Sequence, residues 1–384
     1  MRILYITNTY LQGRSGVVNA SKAFVNSFAE LSESMTLVYP QKPEKYTPEI
    51  NTKIVDLIPV EDKRSKVRKM LDYIAGKVHR YGKETYELFD PHKFDVAVFD
   101  TSNVSFHLID KAKRSGLKVI TIHHNFQLEY ARDDMRPPKK YLTLFWTRIF
   151  EKKAVVLSDL NLTLTKTDAE SLQKYYSEKS NFAVLGSFEF EKQELNVIEE
   201  KKSNHSRSFV ITGQLSSVQT ENSLIPWIKE YSHAIKDEFP DSSLIITGRN
   251  PSERLKTICL EYGIELIPSP NDIEAIVRGC NYYLCPTSLG SGIKLRVMDG
   301  LHNGLMVIAH SRSARGYESM INNGIMFSYN DLKSFKEALH NLSLARYTKN
   351  EVRKTYMEYF SLEAGTKRLD NILKTYGFKE NAKN

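Results

Sequence analysis

The stretch CPTSLGSGIKLRVMDGLHNGLMVIAH, Cys285–His310, decides how this chain is read. The run NYYLC leading into it is short, apolar and aromatic, which is a strand pattern. GIKLRVMDGLHNG carries apolar residues at helical spacing and closes on Gly304, a helix-stop signal. LMVIA is again a strand. The order strand, turn, helix, strand is a βαβ unit, so the turn PTSLGSG is expected at the carboxyl end of one strand and the amino end of a helix. Unpaired backbone N–H groups and the helix dipole favour an anion there. Gly290 and Gly292 let backbone approach a ligand closely, and Lys294, expected in the first helical turn, adds a full positive charge. Asp299 lies seven residues after Gly292, two turns on and on the same face. A carboxylate there suits a ribose diol better than a phosphate. Phosphate above and ribose below is the layout of a bound nucleotide. The plainer alternative is a tight turn followed by a solvated Asp299, and the turn alone leaves both open.

Outward from this unit the same alternation continues in both directions. Before it come SFVITG, SSLIITG and IELIP, each ending where Gly or Pro follows. Nearer the amino terminus, strand patterns cover 3–7, 36–39, 96–99, 119–122 and 160–164, with helical patterns such as 17–31 and 104–115 between them. Alternating strands and helices imply parallel sheets covered on both faces. The polar run EEKKSNHSRS at 199–208 interrupts the alternation and reads as a boundary. Two α/β domains follow, expected at 1–190 and 207–361, with a terminal helix at about 362–384 returning to the first domain. In doubly wound domains ligands bind at the carboxyl ends of the strands, so a cleft between the two is expected.

Composition narrows the class further. With 384 residues the chain can bury two ordinary cores. Its 41% apolar and 26% charged content is that of a water-soluble globular protein. MRILYIT lacks the features of a signal peptide and no apolar run is long enough to span a bilayer, so a cytoplasmic location is expected. Cys259, Cys280 and Cys285 have no metal-type spacing. A net charge of +8 favours anionic partners: a nucleotide, nucleic acid or an acidic membrane. No RNP, zinc-finger or comparable signature supports nucleic acid. There is no G-x-x-x-x-G-K-[ST], and no G-x-G-x-x-G follows the first strand, so neither a P-loop NTPase nor a dinucleotide dehydrogenase fits.

In their order, FVITGQL, LIITGRNPSERL and YGIELIPSPNDIEAIVRGCNYYLCPTSLGSGIKLRVMDGLHNGLMVIAHSRSARG resemble the nucleotide-binding domain of the retaining GT-B glycosyltransferases, the group 1 or GT4-like family. The resemblance covers about 208–316. The first half resembles the family more loosely through ILYITNTYLQGRSGVVNASKAFVNSFAEL, VITIHHNFQLEYARDD and LSDLNLTLTKTDAESL. What the resemblance implies is a GT-B fold, with two Rossmann-like domains facing across a cleft, and sugar transfer from a nucleotide-sugar to a glycan or lipid-linked acceptor. In the family, two Glu residues flank seven others. Asp299 takes the place of the second, on the ribose, and Ser291 stands where the first contacts the donor sugar. The family often has Arg and Lys after the first strand of this domain; here GQLSSVQTEN offers Gln214 and no lysine. Lys294 then becomes the main diphosphate cation, Arg249 a further candidate, and Gly290, Ser291, Gly292 and Ile293 the donor-contacting turn. Ser291 and Gln214 also keep a non-catalytic GT-B partner subunit in view, beside a GT-B epimerase.

On the amino-terminal side, Gly13 and Gly16 in LQGRSGVV resemble the family loop that meets the diphosphate or acceptor. A helix-entry loop is the alternative. His124 in ITIHHN resembles the histidine that hydrogen-bonds the donor sugar, while His123 is expected to be structural. Glu129 reads as an ordinary helix charge. Asp100, Thr101 and Ser102, at a strand end, are candidates for the acceptor side. No D-x-D triplet occurs, so transfer without metal or cofactor is expected, with N–H groups and cations stabilising the leaving diphosphate. EDKRSKVRKMLDYIAGKVHRYGK at 61–83 is basic with a sparse apolar stripe of Val67, Met70, Leu71, Ile74 and Val78, and RPPKKYLTLFWTRIFEKKAVVL at 136–157 mixes aromatics with lysines. Either both bury their apolar faces in the core, or they rest on the anionic inner face of the plasma membrane.

Overall fold

The computed structural model describes residues 1–380 except 14, 43, 51–54, 76–80, 82, 104–105, 136 and 193–206. Arg136, Val78 and nearly all of the polar run at 199–208 therefore lie outside the described residues. The chain divides into two compact units. One comprises Met1–Arg132, Arg136–Lys192 and Phe360–Asn384, the other Asp133–Met135 and Gln193–Tyr359.

The first unit runs β1 (Arg2–Thr7), α1 (Gly16–Leu31), β2 (Ser34–Gln41), β3 (Val55–Glu61), α2 (Lys66–Ile74), α3 (Lys83–Tyr86), β4 (Val96–Asp100), α4 (Phe106–Arg114) and β5 (Lys118–His123). It continues with α5 (Gln127–Asp134), α6 (Lys139–Leu157), β6 (Leu160–Thr163), α7 (Lys166–Tyr176) and β7 (Phe182–Val184). Among the described residues its sheet has the order β3-β2-β1-β4-β5-β6-β7, parallel throughout. The central strands are buried on both faces, as a covered parallel sheet requires. β3 and β7 escape the sequence pattern. Each is an edge strand with one paired neighbour, and β3 carries Pro59 and half-exposed side chains.

The second unit runs β8 (Ser208–Gln214), α8 (Val218–Glu238), β9 (Ser243–Arg249), α9 (Glu253–Glu261), β10 (Glu265–Pro268), α10 (Ile273–Gly279) and β11 (Tyr282–Cys285). Then come α11 (Arg296–His302), β12 (Met306–His310), α12 (Glu318–Asn322), β13 (Met326–Tyr329), α13 (Leu332–Leu344) and α14 (Lys349–Phe360). Its sheet, β10-β9-β8-β11-β12-β13, is again parallel. In both sheets the strand order reverses beside the first strand, between β1 and β4 and between β8 and β11. Those are the switch points where doubly wound sheets leave a crevice at the carboxyl ends.

The last helix, α15 (Leu362–Thr375), belongs to the first unit. Ser27 on α1 and Thr366 on α15 share a buried hydrogen bond of 2.8 Å. A Cβ at Gly365 would lie 2.1 Å from the Phe188 ring, so only glycine lets this helix approach so closely. Arg368 Nε donates to the Leu185 carbonyl at 2.9 Å and Tyr376 Oη to the Phe182 carbonyl at 2.8 Å, tying the helix to the β7 edge.

Candidate functional site

The turn between β11 and α11 lies at the second switch point. Gly290 and Gly292 have φ of +80° and +74°, the left-handed region that glycine adopts without strain. A Cβ at Gly290 would lie 2.6 Å from Gln219 Oε1, so the turn presses against the first turn of α8. Ser291, Gly292 and Ile293 are buried. Lys294 Nζ donates to the Ser291 carbonyl at 3.0 Å, and the Tyr317 hydroxyl donates to the Lys294 carbonyl at 3.1 Å.

The helix after this turn is shorter than its sequence pattern. α11 has seven residues and begins at Arg296, so Lys294 stands before the helix rather than in its first turn. Asp299 is correspondingly in the first turn of α11, not two turns on, and is exposed. The positive φ of Gly290 and Gly292 keeps this segment out of the helix. This end of the sheet therefore brings the backbone of the turn and Lys294 together without a long helix behind them. The charge of Asp299 reaches inward: burial first, and then Asp299, push the Tyr283 hydroxyl well above its ordinary pKa.

Three features of this end of the sheet escape sequence reasoning. Arg296 is half-buried, with Nη1 3.3 Å from Thr287 Oγ1 and 3.5 Å from the Thr212 carbonyl, and Nη2 3.3 Å from Thr220 Oγ1. It thus bridges the end of β8, the start of α8 and the glycine turn. Gln219 has a buried Nε2 with no partner among the described residues. β12 ends on His310 and the loop after it holds Arg312 and Arg315, and Ser313 Oγ of the same loop donates to the Thr287 carbonyl at 2.6 Å. Burial, then Arg312 and Arg315, lower the His310 pKa. The motif HSRSARG was the available signal for these cations, and a single arginine in a helical run was the only one for Arg296. Arg249 is the exposed last residue of β9, one strand further from the switch point than β8. Gln214 is likewise exposed, at the end of β8.

In the first unit the switch point is occupied by a histidine–carboxylate pair. Asp100, at the end of β4, is wholly buried and accepts from Thr7 Oγ1 on β1 at 2.8 Å. His124 Nε2 lies 2.5 Å from the other oxygen of Asp100 and donates to it. Burial pushes the Asp100 carboxyl up. The charge of His124 and hydrogen bonds from His124, Ser21 and Thr7 outweigh it and hold Asp100 below its ordinary value. With Nε2 committed to Asp100 and Phe24 edge-on at 5.6 Å, the ring is held in place, with Nδ1 its other polar atom. Asp100 is therefore beneath the histidine rather than lining an open surface. His123 is buried, its Nε2 2.9 Å from Asn161 Oδ1, and burial lowers its pKa to about 4.

The residues after His124 are held by two buried carboxylates. Glu151 on α6 accepts from the Gln127 N–H at 2.7 Å and the Tyr176 hydroxyl at 3.0 Å, and Asp168 accepts from the Phe126 N–H at 3.2 Å. They satisfy the first N–H groups of α5 and so fix the end of the loop that carries His124. Burial pushes the Glu151 carboxyl up to about 8. Gly13 has a φ of +80° and open space beside it, while Gly16 is the first residue of α1. The Gly13 carbonyl accepts from Lys22 Nζ at 3.2 Å, and that buried amine also meets Glu49 at 2.6 Å. A buried lysine thereby anchors the glycine loop, which its place in an amphipathic helix did not signal.

Residues 206–344 match the family model described as Glycosyl transferases group 1. An uncharacterized 44.6 kDa protein in the cps region of Klebsiella pneumoniae is 24% identical over 267 residues, spanning 66% of this chain and 66% of its own length. Among solved structures, sucrose-phosphate synthase from Thermosynechococcus elongatus superposes with a TM-score of 0.68 at 9% identity, covering 98% of this chain and 99% of that one. HepE from Anabaena in complex with UDP gives 0.62 at 9% identity, covering 98% and 100%. The chain therefore has the GT-B fold, and its residues 206–344 are similar to the group 1 glycosyl transferases.

Proposed function

We propose that this protein is a cytoplasmic transferase that moves a hexose from a nucleotide-sugar to a glycan or glycolipid acceptor in surface polysaccharide or glycoconjugate assembly. The observation that carries the reading is the glycine turn, whose positive-φ residues stand among Lys294, Arg296, Arg312 and Arg315 at the carboxyl ends of the strands. A diphosphate needs such N–H groups and cations, and they matter most as charge grows on the leaving group. The UDP in the Anabaena protein supports a uridine donor, and the cps-region relative supports a polysaccharide product.

In this reading the turn and Lys294 hold the diphosphate, Asp299 accepts from the ribose hydroxyls, and His124 hydrogen-bonds the donor sugar. The bond between the anomeric carbon and the phosphate oxygen breaks, and a bond from the acceptor oxygen to that carbon forms. The acceptor proton leaves to the departing phosphate oxygen. Because both events use one face of the sugar, configuration is retained, and no step calls for a metal.

The test is release of nucleoside diphosphate from a panel of UDP-, GDP-, dTDP- and CMP-sugars, alongside calorimetry with the free diphosphates. The reading predicts one preferred base, and an affinity that falls about ten- to hundredfold in Asp299→Ala, through lost charge-assisted hydrogen bonds. Binding without turnover in the presence of acceptor glycolipid would favour a non-catalytic subunit. Conversion of the donor to another nucleotide-sugar without acceptor would favour an epimerase. Failure of every nucleotide to bind would end the proposal.

A further inference from the structure

Helix α2 is inside out. Val67, Met70, Leu71 and Ile74 follow one another at i, i+3, i+4 and i+7 and so share a face. That face points to water, with the four side chains 63%, 57%, 53% and 53% exposed. The buried residue of the helix is instead a carboxylate, Asp72, which pairs with Arg64 and Arg68 at 3.0 Å each. The polar side of the helix, not its apolar stripe, therefore faces inward. Ser65 caps it by accepting from the Arg68 N–H, Tyr73 hydrogen-bonds Thr143 on α6, and Trp146 Nε1 of α6 donates to the Ile74 carbonyl at 3.2 Å. α6 adds two exposed aromatics, Tyr141 at 67% and Phe145 at 57%. Scattered exposed apolar residues are ordinary, but a whole helical stripe turned outward is the mark of a surface that meets an apolar phase.

We infer that α2 and the amino-terminal half of α6 dock this protein on an anionic lipid surface. The charge decides the occupant. Residues 61–75 hold five cations against three carboxylates, and residues 137–150 hold three cations and no carboxylate. The carboxylates Asp62 and Asp72 are taken up in pairs with Arg64, Arg68 and Lys69. Lys63 and Lys66 are exposed and have no ion pair among the described residues. A short helix with an apolar face and cations on its flanks lies in the interface plane, apolar side down, with the lysines at the headgroups. Phe145 and Tyr141 suit the same depth. A second copy of the chain would bring like charges together on this face, and an acidic protein would not need the apolar stripe. The inference stands apart from the donor chemistry proposed above, and a membrane address for the first unit would make a lipid-linked acceptor the natural one.

The test is co-sedimentation of the full chain with phosphatidylcholine vesicles, with or without about a third phosphatidylglycerol, at low and high salt. The expected result is pelleting with the anionic vesicles at low salt, and about tenfold less with neutral vesicles or at high salt. Lys63→Gln with Lys66→Gln should weaken binding about twenty-five-fold, near fivefold per cation. Leu71→Ser with Ile74→Ser, at exposed positions that the fold does not need, should abolish it. Equal pelleting on neutral vesicles, or binding that neither pair of substitutions changes, would overturn the inference. So would a dimer in sedimentation velocity that Leu71→Ser with Ile74→Ser dissolves, because the occupant would then be a second copy. UDP calorimetry on the same variants keeps the donor question separate, since unchanged UDP affinity is expected whether or not the vesicles bind.

Discussion

Glu151→Gln should make the first unit more stable at neutral pH, although it removes a carboxylate that accepts from two donors. The carboxyl is wholly buried, and burial raises its pKa to about 8. Unfolded, it titrates at the ordinary 4.5. For a raised pKa the stabilising contribution is complete below the unfolded value and is lost as pH rises through the folded one. Stability should therefore fall between about pH 4.5 and 8 on account of this group. At pH 7 the folded form holds a proton that the unfolded form has released. The difference, 2.5 pH units at about 1.36 kcal/mol each, is about 3 kcal/mol. Glutamine keeps an oxygen for the Gln127 N–H and turns an N–H toward the Tyr176 hydroxyl, mimicking the protonated acid without the titration. The assay is urea unfolding followed by Trp146 fluorescence in a Trp227→Phe background, since the chain has only two tryptophans. The stability gap between Glu151→Gln and its parent should widen steadily from pH 5 to pH 8. A gap that stays constant across that range would mean that Glu151 is ionised throughout, and the reasoning from burial would fail.

Three further outcomes are expected. Lys294→Ala should lower turnover more than about tenfold while changing the donor KM less, because the charge it meets grows toward the transition state. A change confined to KM would make Lys294 a ground-state contact. Asp100→Asn should lower turnover at least about tenfold, as His124 loses its orienting partner, with UDP affinity kept within about twofold. Parallel losses in rate and UDP affinity would assign the pair to the phosphate instead. Gly300→Ala should cost about 1–3 kcal/mol of stability in the second unit, because a Cβ there would lie 2.6 Å from the Tyr283 ring; an unchanged urea midpoint would show that the ring can move aside.

What the sequence determined by itself was the repeating pattern. Short apolar runs separated by amphipathic stretches imply covered parallel sheets, and glycines at 290 and 292 permit a backbone that other residues resist. Both follow from local periodicity and sterics, which are properties of neighbouring residues. The edge strands β3 and β7 were less legible, because pairing on one side tolerates Pro59 and half-exposed side chains that a central strand would not. The start of α11 at Arg296 was also less legible, because the helical spacing in the sequence begins before it. The rest was decided by tertiary structure alone. Parallel register sets the end of β4 beside the end of β1, and only then do Thr7, Asp100 and His124 become one group. Glu151 reaches the start of α5 from α6, and Arg296 joins threonines from three separate segments. The sign of α2 is the clearest instance. Its sequence allowed the apolar stripe to face either the core or the outside; the stripe faces out, while Arg64 and Arg68 converge on Asp72, the buried residue of the helix.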